Sequence, residues 1–393
     1  MGEIVEKKLS EIGCDFLSGF AFKSVDYSDT GIPLIKIGNI QKRIVTIDSQ
    51  GDFIPEEQIN DKTERYLLEN NDVLIAMTGQ GSVGRVGKLK IENSQKALLN
   101  QRVGKFLCDE ININLDYLYY ILTTDKYQDY LFNTGAGSGQ PNLSPELILQ
   151  TEIPWVEYSE QKLISSFLIS IDDKKELLQK QNTTLELIAL TLFKKWFVEE
   201  PKEEWASLPL SKIADFLNGL ACQKFPPKNE VDKLPVLKIK ELSSGITDNS
   251  DWASTAIKSE YIVRNGDVIF AWSASLMVKI WDGRDCVLNQ HLFKVTSEDY
   301  PKWFYYLWCK HHLAEFISIA ASHATTMGHI KRGDLDEAKV LVPSPDELAI
   351  MTEQAEPLIQ KIIANNIQIN TLTKLRDSLL PKLMSGEITI NTN

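Results

Sequence analysis

The sequence predicts an α+β protein in which two duplicated mixed α/β domains are separated by two long helices that form an antiparallel coiled coil. Three observations support this prediction. The chain carries a long, ordered internal repeat. Each copy mixes short β-like runs with turn residues. Each copy also ends in a long segment whose apolar positions alternate in steps of three and four residues.

The repeat is a series of matched segments whose order never changes. In chain order they are 9–12 with 210–213, 15–19 with 215–219, 33–37 with 235–239, 71–76 with 266–271, 99–101 with 288–290, and 119–120 with 305–306. Chance explains any one match, but an ordered series of this length is typical of duplication. The chain therefore contains two copies of a unit of about 190 residues.

The predicted elements follow the repeat. Residues 72–77 and 267–272 are apolar runs typical of buried strands, and residues 115–123 and 303–311 are aromatic-rich segments typical of helices. Residues 199–204 form a polar break between the copies. These features place a first domain at 1–158, a central long helix at 159–200, a second domain at 201–344, and a distal long helix with a C-terminal tail at 345–393.

Composition excludes several classes of protein. Of 393 residues, 43% are hydrophobic and 24% are charged, which excludes disordered and collagen-like chains. The five cysteines form no CxxC pair, and we expect neither a signal peptide nor a membrane span, so a cytoplasmic location is expected. The 42 basic and 54 acidic residues give a net charge of −12, which argues weakly against nucleic-acid binding.

The two long segments have matching apolar faces, each with an asparagine near its middle, Asn182 and Asn365. Placing these asparagines side by side in antiparallel helices brings apolar residues opposite each other along nearly the whole length. The resulting pairs are Ile164 with Leu383, Leu178 with Ile369, Leu185 with Ile362, and Trp196 with Met351. The alternative is that each helix packs on its own domain.

Two further expectations concern residues that depart from this apolar pattern. Arg376 falls on the apolar face, where its long stem is expected to carry the charge outward to solvent. Pro357 and Pro381 are expected to kink or fray the second helix.

Catalytic and cofactor motifs are not convincing. Residues 79–84 fit GxGxxG, but an alternating strand-like run follows them where a dinucleotide site needs a helix. Cys309, His311 and His312 lack a second ligand pair at zinc spacing. We find no methyltransferase tetrapeptide, no nuclease motif and no nucleophile–His–acid cluster, so neither a catalytic residue nor a metal site is predicted.

Several motifs resemble those of the specificity subunits of type I restriction–modification systems. Residues 153–161, which read IPWVEYSEQ, are similar to the IPxPPxxEQ motif at the start of that family's first helix, with WVE in place of the usual proline pair. Residues 191–198 resemble its LFxxWF stretch, and residues 342–347 and 379–388 look like the equivalents in the second copy. The second helix start lacks the Gln. The resemblance covers essentially the whole chain.

The resemblance implies a function. Each globular domain would be a target-recognition domain that reads one half of a bipartite double-stranded DNA sequence. The helices would set the spacing and carry two methyltransferase subunits, and a restriction/translocase subunit would join through the methylase core. The chain would have no catalysis or cofactor of its own. S-adenosylmethionine, ATP and Mg are expected only in the partners, whose adenine methylation and DNA cleavage the chain would direct.

Candidate DNA contacts are polar and basic side chains on loops, since base edges need hydrogen-bond partners and phosphates need cations or amides. They are Lys36, Asn39, Gln41, Lys42, Arg43, Gln80, Ser82, Arg85, Ser138, Gln140 and Asn142 in the first copy, and Lys238, Lys240, Ser243, Ser273, Ser275, Thr325, Thr326, His329, Lys331 and Arg332 in the second. The alternative for each loop is a surface loop with no partner. The triplets 100–102 and 289–291 are equally compatible with DNA contact and with an inward structural role.

Two other functions compete with DNA recognition. One is a duplicated coiled-coil scaffold that binds proteins without sequence-specific DNA readout. The net negative charge of the chain favours this alternative. The other is a fusion of a methyltransferase with a recognition domain, for which the length leaves no room. Sequence-selective, salt-sensitive retention of DNA by the assembled complex would favour DNA recognition over the protein scaffold. Binding of S-adenosylmethionine by the purified chain would favour the methyltransferase fusion.

Overall fold

A computed structural model describes residues 5–41, 43–92, 94–136, 141–247, 249–322 and 328–390. Contacts divide the chain into two compact units. Unit 1 comprises Met1–Asp172 and Leu375–Asn393, and unit 2 comprises Asp173–Lys374. Both divisions fall inside the long helices, so each long helix contributes residues to both units, whereas the predicted domain limits follow the helix ends.

Unit 1 is built on strands and short helices that precede the first long helix. Its elements are β1 Val5–Lys8, β2 Cys14–Ser18, β3 Ile32–Ile35, β4 Ile40–Gln41, β5 Ile44–Val45, β6 Phe53–Ile54, β7 Leu67–Leu68, β8 Val73–Ala76, β9 Val86–Leu89, β10 Ala97–Leu99, β11 Val103–Cys108, α1 Leu115–Leu122, α2 Asp125–Gly135, α3 Pro145–Leu149 and β12 Glu152–Trp155. Short 3-10 turns occupy Leu9–Glu11, Ser24–Asp26, Ile37–Asn39, Glu56–Gln58 and Glu64–Tyr66. The first long helix, α4, runs over Tyr158–Lys194 and ends in a π-turn at Lys195–Glu199.

Unit 2 repeats this plan. Its elements are β13 Ala206–Pro209, α5 Leu210–Ile213, β14 Asp215–Asn218, β15 Lys233–Leu237, α6 Ile239–Ser244, β16 Trp252–Ser254, β17 Ile262–Val263, β18 Val268–Ala271, β19 Met277–Ile280, β20 Cys286–Leu288, β21 Leu292–Thr296, α7 Lys302–Ser322, α8 Arg332–Glu337 and β22 Lys339–Val342. Turns of 3-10 helix lie at Cys222–Lys224 and Ser259–Tyr261. The second long helix, α9, spans Pro345–Met384.

Sheet topology confirms the duplication. In unit 1 the strands are ordered β6-β3-β10-β7 in one sheet and β2-β11-β8-β9-β5-β4 in another. In unit 2 the corresponding orders are β16-β15-β20-β17 and β14-β21-β18-β19. Each unit also has a two-stranded antiparallel sheet, β1 with β12 and β13 with β22, that joins its first strand to the strand before its long helix. The mixed α/β prediction for each copy is therefore correct.

The central strands β8 and β18 lie where the sequence predicts buried strands, and every residue in them is buried. An aspartate precedes each strand and is held in the same way in both units. Asp72 accepts from Lys105 Nζ at 2.7 Å, and Asp267 accepts from Lys294 Nζ at 2.8 Å. Each aspartate also accepts a backbone N–H three residues upstream. A half-buried carboxylate needs such partners, because burial without them is costly.

The two long helices pair antiparallel within each unit. In unit 1, Ile164 and Leu168 of α4 share a core with Leu380 and Leu383 near the end of α9. In unit 2, residues near the end of α4 share a core with residues near the start of α9; the core includes Ala189 and Phe193 of α4 and Ala355 and Ile359 of α9. The alternative, in which each helix packs only on its own domain, is wrong.

Asparagine side chains meet in the helix pair of unit 2. Asn365 Nδ2 donates to Asn182 Oδ1 at 2.8 Å and to Gln181 Oε1 at 2.9 Å, and Asn182 Nδ2 donates to Asn366 Oδ1 at 2.7 Å. Asn365 is 1% exposed. This contact is the one that the predicted register requires, and it gives the buried Nδ2 of Asn365 two acceptors. The Oδ1 of Asn365 has no hydrogen-bond partner among the described residues.

Two expectations about α9 concern single residues. Fraying at its prolines is wrong, because the helix continues through Pro357 and through Pro381 to Met384. A kink at either proline stays a prediction. Arg376 does not carry its charge out to solvent. Its side chain is 12% exposed and pairs with Asp172 at 2.8 Å and with Asp377 at 2.9 Å. Burial opposes the charged form, but the two carboxylates raise the pKa of Arg376 above its usual value.

Candidate nucleic-acid interface

Three segments of unit 1 meet beside the central strand β8. They are the loop 77–85 after β8, the turn 100–103 between β10 and β11, and the segment 141–144 before α3. Met77 N donates to Arg102 O at 2.9 Å, Leu143 N donates to Met77 O at 2.8 Å, and Thr78 forms a β-bridge with Asn142. We call this arrangement junction 1.

The equivalent segments of unit 2 meet in the same way. They are 272–276 after β18, the turn 289–292 between β20 and β21, and 328–332 before and at the start of α8. Trp272 N donates to His291 O at 3.4 Å, Ile330 N donates to Trp272 O at 3.1 Å, and Ser273 forms a β-bridge with His329. We call this arrangement junction 2. Segments that the sequence predicts as separate candidate loops are thus brought together in each unit.

A glycine in each unit allows the junction to form. Gly19 N donates to Val103 O, and Gly219 N donates to Leu292 O. A Cβ atom on Gly19 would lie 2.1 Å from the carbonyl oxygen of Asn100, and one on Gly219 would lie 2.2 Å from that of Asn289. The turn therefore packs against the strand end only because a residue without a side chain stands there.

Junction 1 presents polar and basic side chains to solvent. Gln80, Arg85, Arg102 and Asn142 are exposed, and Ser82 is half-buried. Among the described residues, Arg85 and Arg102 form no ion pair, although the chain as a whole has an excess of acid. Side chains of this kind can bind base edges and phosphates.

Junction 2 is richer in rings. The Trp272 ring stacks on Phe293 with centroids 5.6 Å apart and lies 6.0 Å from the His291 ring and 6.2 Å from the His329 ring. Ser273 is buried, and its Oγ lies 3.2 Å from His291 Nδ1. The exposed polar and basic side chains of junction 2 are those of Ser275, His329, Lys331 and Arg332. The Arg332 guanidinium also donates to Phe216 O at 3.4 Å.

The candidates that follow β3 and β15 are engaged within the protein. Lys36 pairs with Asp52, and the equivalent Lys238 pairs with Asp251. A phosphate would compete with these carboxylates. On helix α6, Lys240 and Ser243 are exposed.

The polar residues after Lys36 support their own loop. The Asn39 side chain accepts from Lys36 N at 2.8 Å and donates to Thr46 O at 2.9 Å, and Gln41 donates to Gly38 O at 3.0 Å. A surface groove of about 660 Å³ is lined by this loop, including Lys36, Asn39 and Gln41, and by Asp48 and Asp52.

Arg43 is directed to the long helix. It has a left-handed backbone with φ of 69°, and its Nη1 lies 3.5 Å from Asp377 of α9. Its carbonyl oxygen accepts from Tyr119 Oη at 3.0 Å, and burial raises the pKa of Tyr119 to about 12. The next tyrosine, Tyr120, donates to Asp172 of α4 at 3.0 Å. This network attaches the first domain to both long helices within unit 1.

Unit 2 has its own polar attachment to α4. Glu186 accepts from Tyr306 Oη and pairs with Lys310 Nζ, both at 2.8 Å. Burial opposes ionisation of Glu186, but Lys310 and Tyr306 hold its pKa below its usual value. The carboxylate is therefore charged at neutral pH.

Within the triplets 100–102 and 289–291, the structure separates a buried structural residue from residues that are accessible to a ligand. Asn100 and Asn289 are 7% and 5% exposed, so the first residue of each triplet is structural. Gln101 and Arg102 are exposed, whereas Gln290 and His291 are half-buried. Five predicted contact residues, Lys42, Ser138, Gln140, Thr325 and Thr326, lie outside the described residues.

Sequence reasoning missed one structural residue at the start of α4. The Gln161 side chain is fully buried, accepts from Asn114 N at 2.8 Å, and donates to Asn112 O and Val156 O. It thus fastens the helix to the turn before α1. The only signal in the sequence was the place of Gln161 at the end of the IPWVEYSEQ motif, residues 153–161. That motif does not indicate which groups the Gln161 side chain contacts.

Across the described residues, no three His, Cys, Asp or Glu side chains come together as a metal site. In the same part of the chain, no helix is both long and apolar enough to cross a membrane.

Comparison with known proteins agrees with the duplicated architecture. The model of the type I restriction modification DNA specificity domain matches residues 1–187 and 202–375. The MjaIX specificity subunit of Methanocaldococcus jannaschii is 29% identical over 303 residues, covering 70% of this chain and 69% of the relative. The HindI specificity subunit of Haemophilus influenzae is 20% identical over 368 residues, covering 72% and 80%.

A solved structure has the same fold. The S subunit of a type I restriction–modification system from M. genitalium aligns over 100% of this chain and 98% of its own, with a TM-score of 0.60 at 14% identity. The two family matches account for most of the sequence, and they coincide with the two copies seen in the sheets. The chain therefore belongs to the family of type I restriction–modification specificity subunits, with two DNA specificity domains.

Proposed function

We propose that this chain is the DNA-reading subunit of a type I restriction–modification complex, and that junctions 1 and 2 each read one half of a bipartite target. One observation carries this proposal: the same three-segment framework occurs twice but bears different side chains. A repeated framework explains why both units bind the same kind of ligand. Different side chains explain why each unit selects its own sequence.

Charge distribution sets a condition on this proposal. Residues 1–158 contain 15 basic and 23 acidic residues, so unit 1 offers DNA only local basic groups such as Arg85 and Arg102. Phosphate binding depends on such groups and weakens with salt. We therefore expect weak DNA binding by the chain alone and stronger, salt-dependent binding by the complex with its methyltransferase partners.

Exposed apolar side chains on the long helices support docking of methyltransferase subunits there. Leu177 and Leu187 of α4 and Ile367 of α9 are 60%, 64% and 52% exposed. Large apolar side chains repeated on one helix pair favour a protein partner. The restriction/translocase subunit would then join through the methylase, and the chain would direct methylation and cleavage without catalysing either.

Docking is tested with charge on these helices. Leu177→Glu combined with Leu187→Glu should abolish co-purification of the methyltransferase subunits without lowering the unfolding temperature. Gln179→Glu is a matched control, since it adds a carboxylate at an exposed polar position of the same helix. Retention of the methyltransferase by the double variant would contradict docking at this surface.

Sequence reading is tested by exchanging domains. Replacing residues 1–158 with the first domain of another specificity subunit should change one half of the methylated motif and leave the other half and the gap intact. Methylome sequencing of a host that carries the chain with its partners gives this result directly. A complex that retains its partners but binds all DNA sequences equally would favour the protein scaffold instead.

A further inference from the structure

We infer that Arg102 in unit 1 and His291 in unit 2 are specificity-determining residues, each of which hydrogen-bonds a base edge in its own half of the DNA target. The inference deepens the proposed function and rests on it. It assigns the central position of each junction to the third residue of the triplets 100–102 and 289–291.

The first step is the turn that presents these residues. Val103 N donates to Asn100 O at 2.8 Å, and Leu292 N donates to Asn289 O at 3.0 Å, so each triplet opens a tight turn. The asparagine at the start of each turn is buried, and its N–H donates to the end of the neighbouring strand, at Ile35 O or Leu237 O. Because the turn is anchored at its first residue, the backbone positions of its two central residues are fixed.

The second step is position. The carbonyl oxygens of Arg102 and His291 accept from the first residues of the loops after β8 and β18, Met77 and Trp272. Those same residues accept from Leu143 N and Ile330 N in the third segment. Arg102 and His291 therefore stand next to the residue that joins all three segments, and they do so identically in both units.

The third step is the chemistry of Arg102. It is exposed and has no ion pair among the described residues. Three other arginines of unit 1 are engaged: Arg43 and Arg376 pair with carboxylates, and Arg65 donates to Tyr66 Oη at 2.8 Å. Arg85 is also exposed without an ion pair among the described residues, but it lies in the loop after β8 and not in the turn that contacts Met77. An uncommitted guanidinium can donate two parallel hydrogen bonds to the O6 and N7 atoms of guanine.

The fourth step is the chemistry of His291. Its Nδ1 lies 3.2 Å from Ser273 Oγ, and its ring lies against that of Trp272. These contacts fix the ring and leave Nε2 without a hydrogen-bond partner among the described residues. A fixed imidazole with one free nitrogen can make one directional hydrogen bond to a base.

The repeat itself separates these residues from their neighbours. The second residue of each triplet is Gln in both copies, Gln101 and Gln290. An identical residue at equivalent positions does not explain different half-site preferences, whereas Arg against His does. Within the exposed part of the triplet, the third residue is therefore the one suited to distinguish the two half-sites.

Methylome sequencing of the assembled complex tests the assignment. Arg102→Ala should reduce the preference for the cognate base at one position of the first half by about 10- to 100-fold, and leave the second half unchanged. His291→Ala should do the converse. The exchanges Arg102→His and His291→Arg should each give a new preference at that same single position.

Arg65→Ala is the matched control, because it removes the same charge from an exposed site of unit 1 outside junction 1. If His291→Ala lowers the unfolding temperature, His291→Asn replaces it as the polar, smaller variant. In each case DNA binding is measured with duplexes that differ at single base pairs.

Three outcomes overturn the inference. They are an unchanged motif, a change in both halves from one substitution, or a uniform loss of affinity with a salt slope reduced by about one, which indicates a phosphate contact. Failure of the proposed function is distinguishable, because the wild-type complex would then produce no methylated motif.

Discussion

At Gly19 and Gly219, the packing of each junction depends on the absence of a Cβ atom. A Cβ atom at either position would overlap the carbonyl oxygen of the asparagine that opens the turn. Neither close approach can relax by rotating a side chain, because the clashing atom belongs to the backbone.

Gly19→Ala should therefore lower the free energy of unfolding by about 1–3 kcal/mol. It should also impair readout of the first half-site more than the second. Denaturant unfolding and methylome sequencing measure the two effects. Gly38→Ala is the control, since a Cβ at Gly38 meets no atom within 4 Å. Equal stability of both variants would contradict the proposed packing.

Single residues also mark where sequence reasoning reaches its limit. Asn39 and Arg43 were suitable DNA contacts by residue type, but Asn39 bonds its own loop and Arg43 reaches Asp377. Asp377 is more than 300 residues away in the chain. A contact of this kind leaves no periodic signal, so type and spacing alone cannot separate a free side chain from a committed one.

At the scale of the element, the start of α9 depends on an ionised carboxylate. Glu347 pairs with Lys202, accepts from Ser344, and accepts from Trp205 Nε1 at 3.0 Å. The ammonium of Lys202 and these hydrogen bonds lower the pKa of Glu347 from 4.5 to about 2. The charged form is therefore favoured in the folded protein.

A depressed folded pKa adds stability that is present above the unfolded pKa of 4.5 and is lost as the pH falls towards 2. Glu347→Gln should therefore flatten the dependence of unfolding free energy on pH between about pH 5 and about pH 3. The neighbouring Asp346→Asn is the control, because Asp346 forms no ion pair with the described residues. An unchanged slope in the Glu347 variant would refute this role.

The helix pair makes a separate prediction. Asn182→Leu should lower the unfolding free energy by about 1–3 kcal/mol, because it leaves the buried Asn365 amide with one partner fewer. The double variant Asn182→Leu, Asn365→Leu should recover part of that loss, since apolar side chains then face each other. A double-mutant cycle measures the coupling, and additive effects would show that the two amides do not depend on each other.

The secondary-structure elements and their pairing were the features of this fold that the sequence predicted best. The buried strands, the aromatic helices and the antiparallel pairing follow from periodicity and from the repeat, which extend over many residues and average out local exceptions. Predictions about α9 that relied on one residue were less successful. The helix does not fray at Pro357 or Pro381, and Arg376 pairs with Asp172 rather than reaching solvent.

On the scale of the whole molecule, the proposed role makes helix length a determinant of the DNA target. Deleting 173–179 from α4 and 368–374 from α9 removes paired residues and preserves the register elsewhere. Each helix then shortens by about 10 Å, which corresponds to about three base pairs. The methylated motif should keep both half-sites and lose about three base pairs from its gap.

Deleting the segment from α4 alone is the control, because it shifts every pair beyond the deletion and should prevent assembly of the complex. The double deletion separates the proposed spacing role from a purely structural one. An assembled double-deletion complex that methylates the original motif with its original gap would exclude the spacing role.

The core of unit 1 includes Leu380, Leu383 and Met384, which follow Ile164 and Leu168 by more than 200 residues. All of unit 2, Asp173–Lys374, lies between them in the sequence. A ribosome therefore synthesises unit 2 before it adds the residues that cover Ile164 and Leu168. Unit 1 can complete its core only after unit 2 has been synthesised, so strictly vectorial folding, in which the first domain finishes before the second emerges, does not apply to it.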